Sequence, residues 1–166
     1  LNSFMDVSGG VSASKITEDW KFDMDIDYSY RTEKYVIDEA TSEYISDTKS
    51  ADILLVKSLS EHWSLGGRTS ILNSTNRYYD IRFRLRPGIE YNIFPYSEST
   101  RRQLRFLYMI GYNYHDYTEL TKFDKLKENL GSHSLSASYE VVQKWGSIDL
   151  SLEWSNYLHN FDFNRL

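Results

Sequence analysis

Two rows of opposite charge are the residues of this sequence best placed to do chemistry. One is Asp23, Asp25 and Asp27, and the other is Arg82, Arg84 and Arg86. Alternate residues of an extended strand share a face and stand about 7 Å apart. That spacing is too wide for three carboxylates to close on one small Ca²⁺ or Mg²⁺ ion unaided. The acids therefore read as partners for arginine, whose planar fork donates to two carboxylate oxygens. Burying either charge alone would cost several kcal/mol, roughly. The expectation is a ladder of ion pairs lining a narrow polar lumen: Asp23, Asp25 and Asp27 with Arg68, Arg82, Arg84, Arg86 and Arg105, and with Glu90, Glu140 and Glu153 as further carboxylates.

Other reactive types fall in less promising places. His133 and Ser134 are adjacent, which in a strand sends them to opposite faces and prevents direct pairing. His115 beside Asp116, and His62 beside Glu61, read as solvated loop histidines. The acids Asp38, Glu39, Glu43 and Asp47 read as solvation of a polar connection. Gly9-Gly10 and Gly66-Gly67 sit in strands, where they allow bends or tight packing, and no phosphate-binding glycine loop is present. With no cysteine, thiolate and disulfide schemes drop out. A formal charge of -5 provides no electrostatic footprint for nucleic acid. No residue set amounts to an enzyme signature. The expectation is a protein without catalytic residues, metal or cofactor.

The elements that carry these residues follow from the period of the pattern. From Ile81 to Tyr91, every second residue (Ile81, Phe83, Leu85, Pro87, Ile89, Tyr91) is apolar or aromatic, and Leu104 to Tyr114 repeats the rule. A period of two means strands with one apolar and one polar face. The same reading gives strands near 6–16, 20–35, 51–59 and 63–72, then the central pair, then 132–142 and 146–158. Ile53 to Val56 are consecutive apolar residues, so that register stays open. Polar connections are expected near 36–50 and 117–131, the first as a mobile loop; Phe123 to Leu130 could form one helical turn. A tight turn is expected at Asn73 to Asn76, and the tail from Asn160 is unassigned. Pro87-Gly88 predicts a bulge or kink in the fifth strand.

Eight strands of roughly 9 to 14 residues exceed the usual 5 or 6 of soluble sheets and match the 9 to 11 needed to cross a membrane at a tilt. Aromatic residues close the apolar faces at both ends. Trp20, Trp63, Tyr91, Tyr96 and Trp145 are expected in one girdle, and Tyr28, Tyr30, Tyr79, Tyr112 and Tyr114 in the other. No run approaches the length of a membrane helix. The fold expected is an all-β, antiparallel, up-and-down transmembrane barrel in one domain over residues 1–166, with eight strands here. Short tryptophan-bearing turns resemble periplasmic ones. On that assignment both ends of the eight-strand set lie on the loop side, which points to truncation at both ends and to a barrel of ten to twelve strands. The chain begins at Leu1, so an export signal is expected upstream.

The stretch EYNIFPYSESTRRQLRFLY, Glu90 to Tyr108, resembles an uncharacterised outer-membrane β-barrel family of Bacteroidota-type bacteria; TEDWK, VKSLSEHWS and WGSIDLSLEWS are similar to the same family. The resemblance implies a bacterial outer-membrane location and an upstream periplasmic portion, and it implies no activity. The reading is a non-enzymatic structural or envelope component, or an anchor, with a constricted lumen. Its partners would be the lipid bilayer, the barrel-assembly machinery during biogenesis and other envelope proteins. A passive channel or transporter for small solutes is the second reading, and a soluble all-β binding domain the third.

Overall fold

The computed structural model describes residues 3–37, 40–121, 124–158 and 160–165. Within them the chain runs through β1 (Ser3–Ile16), β2 (Trp20–Ile37), β3 (Ala40–Ser58), β4 (Trp63–Ser74), β5 (Tyr79–Asn92), β6 (Arg102–Tyr117), β7 (Lys127–Gln143), β8 (Gly146–Tyr157) and the short β9 (Asn160–Arg165). All belong to one sheet in sequence order, each strand antiparallel to the next. The eight expected strands are present, and β9 arises in the tail that the pattern left unassigned. No α-helix occurs among the described residues; a single 3₁₀ turn, Tyr96–Glu98, interrupts the β5–β6 connection.

The sheet is all-β and antiparallel as expected, and among the described residues it is open. Among the described residues β1 pairs with β2 alone, and β9 pairs only with the end of β8, through Ser155, Asn156 and Tyr157. The outer edge of β1 and that of β8 from Gly146 to Trp154 have no neighbour among the described residues.

Two connections expected as long polar loops are instead largely strand. β2 runs on to Ile37 and β3 begins at Ala40, with Tyr28↔Lys49 through Ile37↔Ala40 in continuous register. Glu43 and Asp47 therefore lie in β3, whereas Asp38 and Glu39 lie outside the described residues. Likewise Lys127 to Gly131 belong to β7 rather than to a loop or helical turn, paired with Tyr112 to Asp116 of β6; Phe123 lies outside the described residues. Polarity misled here, because Ser, Thr and Tyr satisfy a strand ladder as readily as a loop, and β-branched and aromatic residues favour it. The turn placed at Asn73–Asn76 shifts to Thr75–Tyr78, with Asn73 and Ser74 in β4.

Short turns are held by their own side chains. Thr17 Oγ1 accepts from the Trp20 amide at 3.0 Å, and Ser60 Oγ accepts from the His62 and Trp63 amides at 3.3 and 3.2 Å. Gly146 adopts φ +147°, open to glycine, where β7 turns tightly into β8. Pro87 makes no bulge. Gly67↔Pro87 keeps register with β4, while the ladder to β6 skips Arg86 and Pro87 and resumes in register at Gly88↔Met109. A missing N–H costs a rung without bending the strand out of step. The bulge in β5 lies instead between Tyr79 and Ile81.

Register settles which residues share a face. Asp23 pairs Leu54, which pairs Arg68, which pairs Arg86. Asp25–Asp52–Ser70–Arg84 and Asp27–Ser50–Leu72–Arg82 form the next two rows. The ambiguous part of β3 resolves with Leu54 and Val56 on this polar face and Ile53 and Leu55 on the other. In a flat single layer both faces would be equally exposed. Here the polar face is the sheltered one. Ser64, Ser74, Asn92, Asn113 and His115 are buried, and Leu72 is the one buried hydrophobic side chain among the described residues. The apolar face is open: Leu65, Ile71, Leu85, Tyr108, Ile110 and Leu152 are all exposed, Ile110 by 51%. The sheet curls around its polar side.

Candidate functional site

Two grooves of similar size lie on the sheltered face. One, of about 440 Å³, is lined by β5–β8 residues including Arg84, Arg86, Asn113, His115, Ser132, Ser134 and Glu153. The other, also of about 440 Å³, lies over β2–β6 and includes Lys21, Leu54, Arg68, Gly88, Glu90, Arg105 and Leu107. Arg86 and Met109 border both. Glycine makes room here. A Cβ on Gly111 would stand 2.5 Å from Ser132 Oγ and 3.7 Å from Arg86 Cγ, and one on Gly88 would stand 2.7 Å from Met109 Cγ.

The structure brings the two charged rows onto one face but leaves them three strands apart, about 14 Å at the usual 4.7–4.9 Å between neighbours. Asp23 accepts from Ser14 Oγ at 2.6 Å and pairs with Lys21 at 3.2 Å. Within the expected ladder, Arg105 and Glu90 approach to 4.0 Å. Glu140 accepts from Gln103 at 2.7 Å, and Arg105 Nε donates to Ser138 Oγ at 3.3 Å. Arg82 lies over the Tyr79 ring, 5.2 Å from its centre. The Nε atoms of Arg82 and Arg84 are buried without an acceptor, and among the described residues no carboxylate holds Arg84 or Arg86.

The aromatic bands divide. Trp20 and Trp63 are exposed on the apolar side, Trp145 is exposed in the β7–β8 turn, Tyr91 packs on Trp63 at 4.6 Å, and Lys57 lies over Trp20. At the other end Tyr28 and Tyr112 are exposed, Lys49 lies over Tyr28, and the alternation puts Tyr30 and Tyr114 on the same side. Tyr79 and Tyr96 are corrections. The bulge after Tyr79 pairs it with Ser74 and turns it to the polar side, where it stacks on Tyr117 at 5.2 Å and meets His115 edge-on at 5.5 Å. The 3₁₀ turn brings Tyr96 inward, its hydroxyl donating to Glu90 Oε1 at 3.3 Å.

His115 is a further correction, since it is 9% exposed rather than solvated. Its Nδ1 lies 3.0 Å from the Tyr117 hydroxyl, which donates to Glu128 Oε2 at 3.3 Å, and its Nε2 is buried without a partner. His62 Nδ1 donates to the Asn92 carbonyl at 2.8 Å and so closes a turn. His133 stays on the apolar face against Tyr108 and Trp154, and Ser134 takes the polar one. Sequence reasoning missed the buried amides. Asn92 Oδ1 accepts from the Leu104 and Phe94 amides at 3.1 and 3.4 Å, and Asn113 donates to Leu130 O and Ser132 Oγ. Their alternation parity, shared with the arginine row, was the available signal. Outside the strands, Arg102 beside Glu98, at 2.6 Å, holds that carboxyl below its ordinary pKa.

The chain matches no protein-family model, no curated protein and no solved structure.

Proposed function

We propose that these strands are part of the wall of a bacterial outer-membrane β-barrel, a non-enzymatic structural or envelope component or anchor, with the apolar face toward lipid and the charged face toward a constricted lumen. One observation carries this reading: over the central strands the apolar face is the open one and the polar face the sheltered one. Between the aromatic bands, the outward positions of β2 to β8 hold no Asp, Glu, Lys or Arg among the described residues. A soluble sheet leaves the opposite face open. An exposed apolar surface of this extent needs a lipid or protein cover.

The dimensions agree. Trp20 to Tyr30 covers about 34 Å along β2 at ~3.4 Å per residue, or about 24 Å of height at a 45° tilt, close to the ~25 Å apolar band of outer-membrane barrels. Lys49 and Lys57 lie beside the ring bands, where their amines can reach the headgroups. In the closed wall, further strands complete the two open edges, since an unpaired edge cannot face hydrocarbon. The resemblance of Glu90–Tyr108 to outer-membrane barrel proteins points the same way.

The test is fluorescence of the full chain reconstituted in vesicles with brominated acyl chains. Trp20, Trp63, Trp145 and Trp154 should be quenched by the lipid. Full fluorescence, with a protein that stays monodisperse without detergent, would favour the soluble binding domain instead. The two grooves favour a second reading, a passive channel for small solutes. Discrete conductance steps in a planar bilayer would support it, and leak alone would remove it.

A further inference from the structure

We propose that Arg84, Arg86 and His115 form an anion-binding site on the sheltered face, taking a small solute that bears a carboxylate, phosphate or sulfate group. Arg84 and Arg86 line the same groove of about 440 Å³ as His115, a volume within the roughly 300–1,000 Å³ typical of small-molecule sites. Both are guanidiniums on one face of one strand, and among the described residues no carboxylate neutralises either. Arg84 Nε is buried and lacks an acceptor. A desolvated donor of this kind is costly until an acceptor arrives, and a planar fork suits a bidentate oxyanion.

His115 is the independent sign of a ligand. Its side chain is buried, it lines the groove, and its Nε2 has no partner. With Tyr117 donating to Glu128, the Tyr117 oxygen accepts from His115 Nδ1, so Nε2 donates in the imidazolium form. A bound anion favours that form. The groove has space beside Arg86 because Gly111 stands there without a side chain. Glu153, the carboxylate at the groove wall, is exposed and lies on β8, the far side from Arg84. The acidic row on β2 is two strands beyond the nearer flank of β5. The site requires the curled sheet, not the bilayer, so it extends beyond the membrane reading.

The experiment is calorimetric titration of the full chain, folded in detergent micelles, with sodium sulfate at constant ionic strength. Saturable one-to-one binding is expected. The double variant Arg84→Ala/Arg86→Ala should weaken it at least tenfold and His115→Gln several-fold. Arg101→Ala, which removes one positive charge from the β5–β6 turn, should leave it unchanged. Circular dichroism and gel migration before and after heating confirm that each variant is folded. Inorganic phosphate and citrate in place of sulfate identify which oxyanion is preferred. Absence of saturable binding of all three by the folded chain would overturn the proposal. So would an equal loss in Arg101→Ala, or binding that emerges only in Asp23→Ala/Asp25→Ala/Asp27→Ala, which would mean that the acids occupy the arginines. Sulfate binding by a protein that brominated lipid does not quench would sink the membrane reading and leave this site standing; the reverse result would do the opposite.

Discussion

The acidic row of β2 and the basic row of β5 have the same design: three like charges at alternate positions on the same face of one sheet. Their surroundings differ. Asp25 and Asp27 are exposed, and Asp23 has Ser14 and Lys21 at hand. Arg82, Arg84 and Arg86 are all half-buried, with two Nε atoms lacking acceptors. β2 lies one strand from the open edge at β1, whereas β5 is the middle strand of the nine described. Curling shelters the centre of a sheet more than its margin. An identical charge pattern therefore yields a solvated row at the margin and a desolvated, ligand-seeking row at the centre.

The largest effect expected on this comparison comes from putting a charge on the wrong face. Ile110→Arg places a guanidinium on the outer face, behind the arginine row. In vesicles it should destabilise the protein by about 2–4 kcal/mol, the cost of arginine at the lipid midplane, as read by denaturant unfolding. A change near zero would mean that lipid does not cover this face. Next in size is the contrast between two glycines. Gly111→Val, whose Cβ would collide with Ser132 Oγ, should cost about 1–3 kcal/mol by overpacking. Gly9→Val on β1 meets nothing within 4 Å and should be neutral or slightly stabilising. Equal costs would erase the distinction between centre and margin.

Smaller still are the charge deletions. Arg84→Met removes a cation without a counter-ion and should leave stability unchanged or raised, because unpaired burial is unfavourable. Asp25→Ala should stay within about 0.5 kcal/mol, as surface changes do. A loss of several kcal/mol in Arg84→Met would instead reveal an ion pair. The least effect belongs to Glu98 in the turn. Its carboxyl is depressed by Arg102, so the contribution is present above the ordinary carboxylate pKa and disappears as pH falls through the lowered value. A side-chain carboxyl NMR titration should show this shift and lose it in Arg102→Gln.

Much of the sheet was legible from periodicity. Ile81 to Tyr91 and Leu104 to Tyr114 declare two strands and the faces of each residue, and the adjacency of His133 and Ser134 excludes their pairing. The polar hairpin ends were not legible, because Thr41 to Asp47 carry no alternation of hydropathy although they pair with β2. Tyr79 was misplaced because a bulge inverts parity locally, and no residue type announces it. His115 was misjudged because its neighbour Asp116 suggested a loop, while its own parity with Asn113 and Gly111 placed it on the sheltered side.

The sequence by itself determined the central spans of eight strands, their two faces and the placing of both charged rows on polar faces, since alternation is a local property of an extended backbone. Only the tertiary structure decided that the sheet stays open among these strands, that it curls toward its polar face, and that Arg84, Arg86 and His115 meet at one groove. Those depend on strand order, register and curvature, which arise from pairing between residues far apart in the chain and leave no mark on the local period.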